Sequence, residues 1–96
     1  MSAAYDQETR DAILYYLQEE FPGYDIEEQQ DKESYCFRVI KDTQTHFVRV
    51  MFTLTEDTQA QQLAFQLDQF SVASTMRGLG DFPVVVTESG CMFGSP

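Results

Sequence analysis

Residues 34–54 constrain the fold more than any other stretch of this chain. Two runs, Ser34–Lys41 and Thr45–Leu54, place Tyr35, Phe37 and Val39, and Val48, Val50 and Phe52, at every second position, the period of two that marks one face of a strand. Only Asp42, Thr43 and Gln44 separate them, which leaves room for a tight antiparallel hairpin and little else. A two-residue turn at Thr43-Gln44 is the expected connection. It sets Val39 against Val48, Phe37 against Val50 and Tyr35 against Phe52, one continuous apolar face. On the other face it pairs Ile40 with Phe47, Arg38 with Arg49 and Cys36 with Met51.

The flanking segments read as two helices and two further strands. A helix from Ser2 or Asp6 to Phe21 has an N-cap candidate at either start and places Ile13, Leu14, Leu17 and Phe21 on one face. Phe21-Pro22-Gly23 ends it. Tyr24–Gln29 is the first strand, joined to the second by the polar residues 30–33. A second helix starts near Thr55 and ends at Arg77-Gly78, a cation followed by a glycine. Phe82–Thr87 is a short β-branched fourth strand, and 88–96 is expected to fray. The order α-β-β-β-α-β predicts an α+β fold in one domain, residues 1–96. Its expected architecture is one mixed, mainly antiparallel four-stranded sheet with two helices packed mainly on one face. Chain connectivity leaves the fourth strand parallel to either the first or the third.

Pairing the first strand with the second across residues 30–33 sets Asp25 opposite Arg38 and Glu27 opposite Cys36. The two arginines are then cross-strand neighbours, with Asp25 bracketing Arg38 as an ion pair and Arg49 still short of a carboxylate. Like charges so placed need compensation. The same face carries Cys36, Ile40, Phe47 and Met51, and both helices are needed on the opposite one. A sheet face with apolar residues and no helix left to cover it is expected to be an interface. In the second helix, Ala60, Leu63, Ala64, Leu67, Phe70 and Ser74 form the main stripe. Phe65, Val72 and Met76 form a second stripe on nearly the opposite side, so that helix is expected to be contacted on two sides.

Charge bounds the partners. The chain has 6 Lys and Arg against 16 Asp and Glu, a net charge of −10. Residues 1–33 hold ten acids and two bases, and residues 34–96 six acids and four bases, giving −8 and −2. Affinity for nucleic acid rests largely on Lys and Arg neutralising phosphates, so direct nucleic-acid binding is not expected. An anionic membrane surface is disfavoured for the same reason. The N-terminus MSAAYDQETR lacks the basic and apolar regions of a secretory signal, which makes a cytoplasmic location the expectation.

No catalytic, metal or cofactor site is expected. His46 reads as a solvated residue at the hairpin tip. Cys36 lies roughly 16 Å away at the strand rise, too far for a Cys–His nucleophile pair. Asp25 and Glu27 could hold a cation, but Arg38 competes for their charge. Gly78-Leu79-Gly80 follows a helix and precedes a strand, the reverse of a phosphate loop, and reads as a helix stop. Cys91 reads as a passive thiol.

The element order α-β-β-β-α resembles that of double-stranded-RNA-binding domains. Those domains contact RNA through basic residues at the start of the second helix, and here residues Thr55–Gln62 hold no base. In size, acidity and element order the chain is also similar to small dimeric secretion chaperones. The leading expectation is a non-enzymatic protein-interaction domain, a homodimeric adaptor or chaperone-like binder. Its interface would comprise Cys36, Arg38, Ile40, Phe47, Arg49 and Met51 on the sheet, with Phe65, Val72 and Met76 on the second helix. One alternative is an acidic mimic of nucleic acid that blocks a DNA- or RNA-binding protein. Another is a small-anion site built on Arg38 and Arg49.

Overall fold

Asp6 caps the first helix as expected, its carboxylate accepting the Thr9 N–H at 3.0 Å. The computed structural model describes residues 5–93, so the alternative cap at Ser2 and the last three tail positions lie outside the described residues. Helix α1 spans Gln7–Glu20 and buries Thr9, Ile13, Tyr16 and Leu17. Its start is tied to the sheet, because the Asp6 N–H donates to the Tyr35 hydroxyl at 2.8 Å.

The strands β1 (Asp25–Gln29), β2 (Ser34–Lys41), β3 (Gln44–Met51), β4 (Val84–Thr87) and β5 (Gly90–Phe93) form one sheet in the order β1-β2-β3-β4-β5. The β3–β4 pair is parallel and the other three are antiparallel. The fold is therefore α+β with a mixed sheet, but the sheet has five strands where four were expected. The fifth comes from the expected frayed tail. Glu88 and Ser89 form a turn, with the Thr87 hydroxyl accepting the Ser89 N–H at 3.1 Å, and the chain returns along β4.

The hairpin turn is Asp42-Thr43, one residue earlier than expected. Asp42 adopts a φ of 54°, a conformation that Asp tolerates and a β-branched Thr43 resists. The turn sets Val39 opposite His46, Phe37 opposite Val48 and Tyr35 opposite Val50. Moving the turn by one residue shifts the pairing by two. Each residue therefore keeps its expected face and changes its neighbour. Tyr35, Phe37, Val39, Val48, Val50, Val84 and Val86 are all buried on one face, against the helices.

The second helix is three segments instead of one: α2 (Phe52–Thr55), α3 (Ala60–Gln69) and α4 (Val72–Leu79). Ser71, in the left-handed region at φ 56° and ψ 42°, breaks the last two apart. The break changes the phase of the buried face. On α3 the buried residues are Leu63 and Leu67, and on α4 they are Val72, Ala73 and Met76. Val72 and Met76, expected on an outer stripe, are therefore core residues, and only Phe65 of that stripe faces outward.

Ser71 makes no side-chain cap for α4. The Ala73 N–H, one of the unpaired donors of the first turn, instead donates to the buried Tyr16 hydroxyl of α1 at 3.1 Å. Tyr16→Phe removes that acceptor and leaves a buried N–H unpaired. Urea unfolding should show a loss of about 1–3 kcal/mol, with the helical signal retained. A loss near zero would mean that this contact does not hold the two helices together.

Candidate functional site

The face of the sheet away from the helices carries the even-numbered residues of β2 and the odd-numbered residues of β3. Cys36, Arg38, Ile40, Phe47, Arg49 and Met51 are all half-buried there. Val85 of β4 and Met92 of β5 face each other across the same surface and extend it. Among the described residues no helix covers this face. The expected bare surface is present, and six of the nine expected interface residues share it.

Its charges are arranged differently from the expectation. Arg38 lies opposite Phe47, and Arg49 lies opposite Cys36, so the two arginines are not direct neighbours. The carboxylate opposite Arg38 is Glu27, which accepts from both Nε and Nη2 of that guanidinium. Asp25 sits one step further along, opposite Ile40, and does not bracket Arg38. The two-residue shift in pairing accounts for both corrections.

Arg49 finds a carboxylate that the sequence reading passed over. Asp31, in the β1–β2 loop, accepts from Arg49 Nη2 at 3.1 Å, from the Ser34 hydroxyl at 2.6 Å and from the Glu33 N–H at 3.1 Å. An Asp accepting the N–H two residues ahead is an Asx turn, and the pattern Asp31-Lys32-Glu33-Ser34 was the available signal. These donors hold the Asp31 carboxyl below its ordinary value, the Ser34 hydroxyl contributing most. Each arginine thus already has a carboxylate, and an anion bridging the two would have to compete with both.

His46 is not the solvated tip residue expected. It is only 7% exposed, and its ring lies 5.4 Å from that of Phe21 and 6.0 Å from that of Tyr24. Its Nδ1 lies 2.9 Å from the Gly80 carbonyl. A carbonyl only accepts, so Nδ1 carries the hydrogen and the imidazole ties the end of α4 to β3. Beside it lies a cleft of about 510 Å³ lined by Tyr24, Thr43, Gln44, Thr45 and Arg77. Arg77 and Asp81 oppose one another in sign there, and Arg77 is held by the Glu20 carbonyl and stacked 4.9 Å from the Phe21 ring centre.

Cys36 and His46 lie on opposite faces of the sheet, as their register requires. Burial pushes both the Cys36 and Cys91 thiols up, which disfavours the thiolate form that reacts. The Cys91 thiol donates to the Phe70 carbonyl at 3.4 Å. Among the described residues no group of three or more His, Cys, Asp or Glu is placed to hold a metal ion, and no helix is long and apolar enough to cross a membrane.

No protein family, curated protein or solved structure matches the chain.

The Asp31 cluster makes a pH prediction. A carboxyl held below its unfolded value stabilises the fold above the ordinary carboxylate pKa of about 4, and that stabilisation is lost as pH falls further. Because the pair is partly exposed, its net worth should be about 1 kcal/mol or less. Asp31→Asn should lower the melting temperature at pH 7 and narrow the gap to wild type as pH drops from 4 to 2.5. Melting curves that stay parallel across that range would remove Asp31 from the acid response.

Proposed function

We propose that this chain is a non-enzymatic protein-interaction domain that pairs with a second copy of itself through the open sheet face and acts as an adaptor or chaperone-like binder. The observation that carries the reading is the apolar surface around Ile40, Phe47, Met51 and Val85, which no element of the described chain covers. Contiguous surfaces of this kind mark interaction sites.

Electrostatics favours a second copy as the occupant. Two chains of net charge −10 repel each other over most of their surfaces. On the sheet face, Arg38 and Arg49 are matched by Glu27 and Asp31, so repulsion is least there. Among the described residues each arginine donates through Nε and Nη2 and not through Nη1, and Asp25 makes no ion pair. A two-fold arrangement lets Asp25 of each copy accept from an arginine of the other. Such a self-complementary patch is what an isologous dimer needs.

The non-enzymatic part rests on the use already made of the reactive groups. The imidazole is bonded to a backbone carbonyl and packed between rings, and burial pushes both thiols up. As an adaptor, the domain would contribute binding surfaces and no reacting group.

Light scattering across a concentration series tests the dimer. Wild type should have twice the 11.0 kDa mass of one chain. Phe47→Asp should be a folded monomer, because it places a new carboxylate at the centre of the interface. Phe47→Thr, which keeps β propensity, should weaken association at least tenfold with an unchanged circular dichroism spectrum. A wild-type mass of 11.0 kDa at all concentrations would defeat the proposal. An acidic mimic of nucleic acid would instead capture a basic nucleic-acid-binding protein with an affinity that falls steeply with salt.

A further inference from the structure

The helix layer carries a second surface, on the side of the molecule opposite the open sheet face. Helices α1 and α3 pack against each other, and a groove of about 380 Å³ runs between their outward sides. Three small residues form its floor: Ala12 from α1, and Ala60 and Ala64 from α3. Tyr15 lines it and is 59% exposed. Phe65, next to Ala64, is 64% exposed, the most open large apolar side chain among the described residues. Tyr15 and the three alanines share the groove with Glu8, Asp11 and Gln61, and Phe65 stands exposed one residue beyond Ala64.

The two charged residues that line the groove, Glu8 and Asp11, are both acidic. At 100° per residue, Glu8, Asp11, Tyr15 and Glu19 share the outward side of α1, and Gln61, Ala64, Phe65 and Asp68 share that of α3. Asp11 is paired with Arg10 at 2.9 Å. The side-chain carboxylates of Glu8, Glu19 and Asp68 make no ion pair or hydrogen bond among the described residues. Carboxylates left unpaired beside exposed aromatic residues suit a ligand that brings both apolar side chains and cations.

We infer that the α1–α3 groove binds a basic amphipathic helical segment of a partner protein. The segment lays its apolar stripe on Ala12, Ala60 and Ala64 between Tyr15 and Phe65. Its Lys or Arg residues, flanking that stripe, meet Glu8, Glu19 and Asp68. This is the helix-in-groove mode of recognition, with anchors repeating at i, i+3, i+4 and i+7. A second copy of this chain is a poor occupant, because its helix surfaces carry the same negative charge. The inference rests on the reading of the chain as a binder and names its partner's chemistry. It does not rest on the dimer, whose surface lies on the other side of the sheet.

The test uses an 18-residue peptide of Leu and Lys, patterned as an amphipathic helix, titrated calorimetrically into the full chain. A scrambled peptide of the same composition serves as the control. One peptide should bind per protomer, at least tenfold more tightly than the scrambled one. Tyr15→Ala and Phe65→Ala, both at exposed sites, should each weaken binding at least fivefold without altering the folded spectrum. Phe47→Asp should leave it within twofold. Equal binding of the scrambled peptide would reduce the interaction to diffuse charge attraction and overturn the inference. No binding of either peptide, or loss of binding in Phe47→Asp alone, would also overturn it while leaving the dimer result to stand by itself. A fall in solution mass on Tyr15→Ala would make the groove a self-interface and overturn it too.

Discussion

The positive φ of Asp42 is the constraint on which most of this structure depends. A two-residue hairpin turn compatible with strand twist needs that conformation at its first position, and of the two candidate residues only the Asp accepts it at low cost. Once the turn is at Asp42-Thr43, His46 lies opposite Val39 on the core face, within reach of Phe21, Tyr24 and Gly80. The same register puts Glu27 opposite Arg38 and leaves Arg49 free to reach Asp31. One backbone conformation thus settles the role of the histidine and the partners of both sheet arginines.

The helix layer depends on a second backbone exception. Ser71 in the left-handed region ends α3 and starts α4 in a new direction. A continuous helix would have left Val72 and Met76 on its outer side. The break turns them inward, and the Tyr16 hydroxyl secures the new helix start. All three longer helices then contribute to one core on one side of the sheet. No helix among the described residues covers the other side, and that asymmetry is the main functional clue in the molecule.

Charge and shape divide the surface into unlike parts. The sheet face is largely apolar, and its two arginines are matched by Glu27 and Asp31. The outward side of α1 and α3 holds the alanine-floored groove and carries unmatched carboxylates. The cleft beside His46 balances Arg77 against Asp81 and favours neither sign of ligand. The two proposed binding surfaces therefore differ in chemistry and suit different occupants. Their placement on opposite sides lets both be occupied at once.

Much of this was legible in the sequence. The alternation in residues 34–54 determined a hairpin and assigned Tyr35, Phe37 and Val39 to the core. That assignment survived the register error because a shift of two residues preserves parity. The Asp6 cap, the first helix and the apolar character of Ile40, Phe47 and Met51 on the opposite face were equally local. Local backbone preference set the residue that opens the turn, and tertiary structure alone decided the rest. Whether Thr43 or Asp42 opens the turn depends on a small difference in backbone energy that periodicity does not report. The fate of Val72 and Met76 depends on a kink held by a tyrosine from another helix. The burial of His46 depends on Phe21 and Tyr24 closing over it, and the fifth strand on an edge of β4 that exists only once the sheet has formed. Local patterning sets which face a residue occupies, whereas its partners are chosen by contacts between segments that meet only in the folded chain.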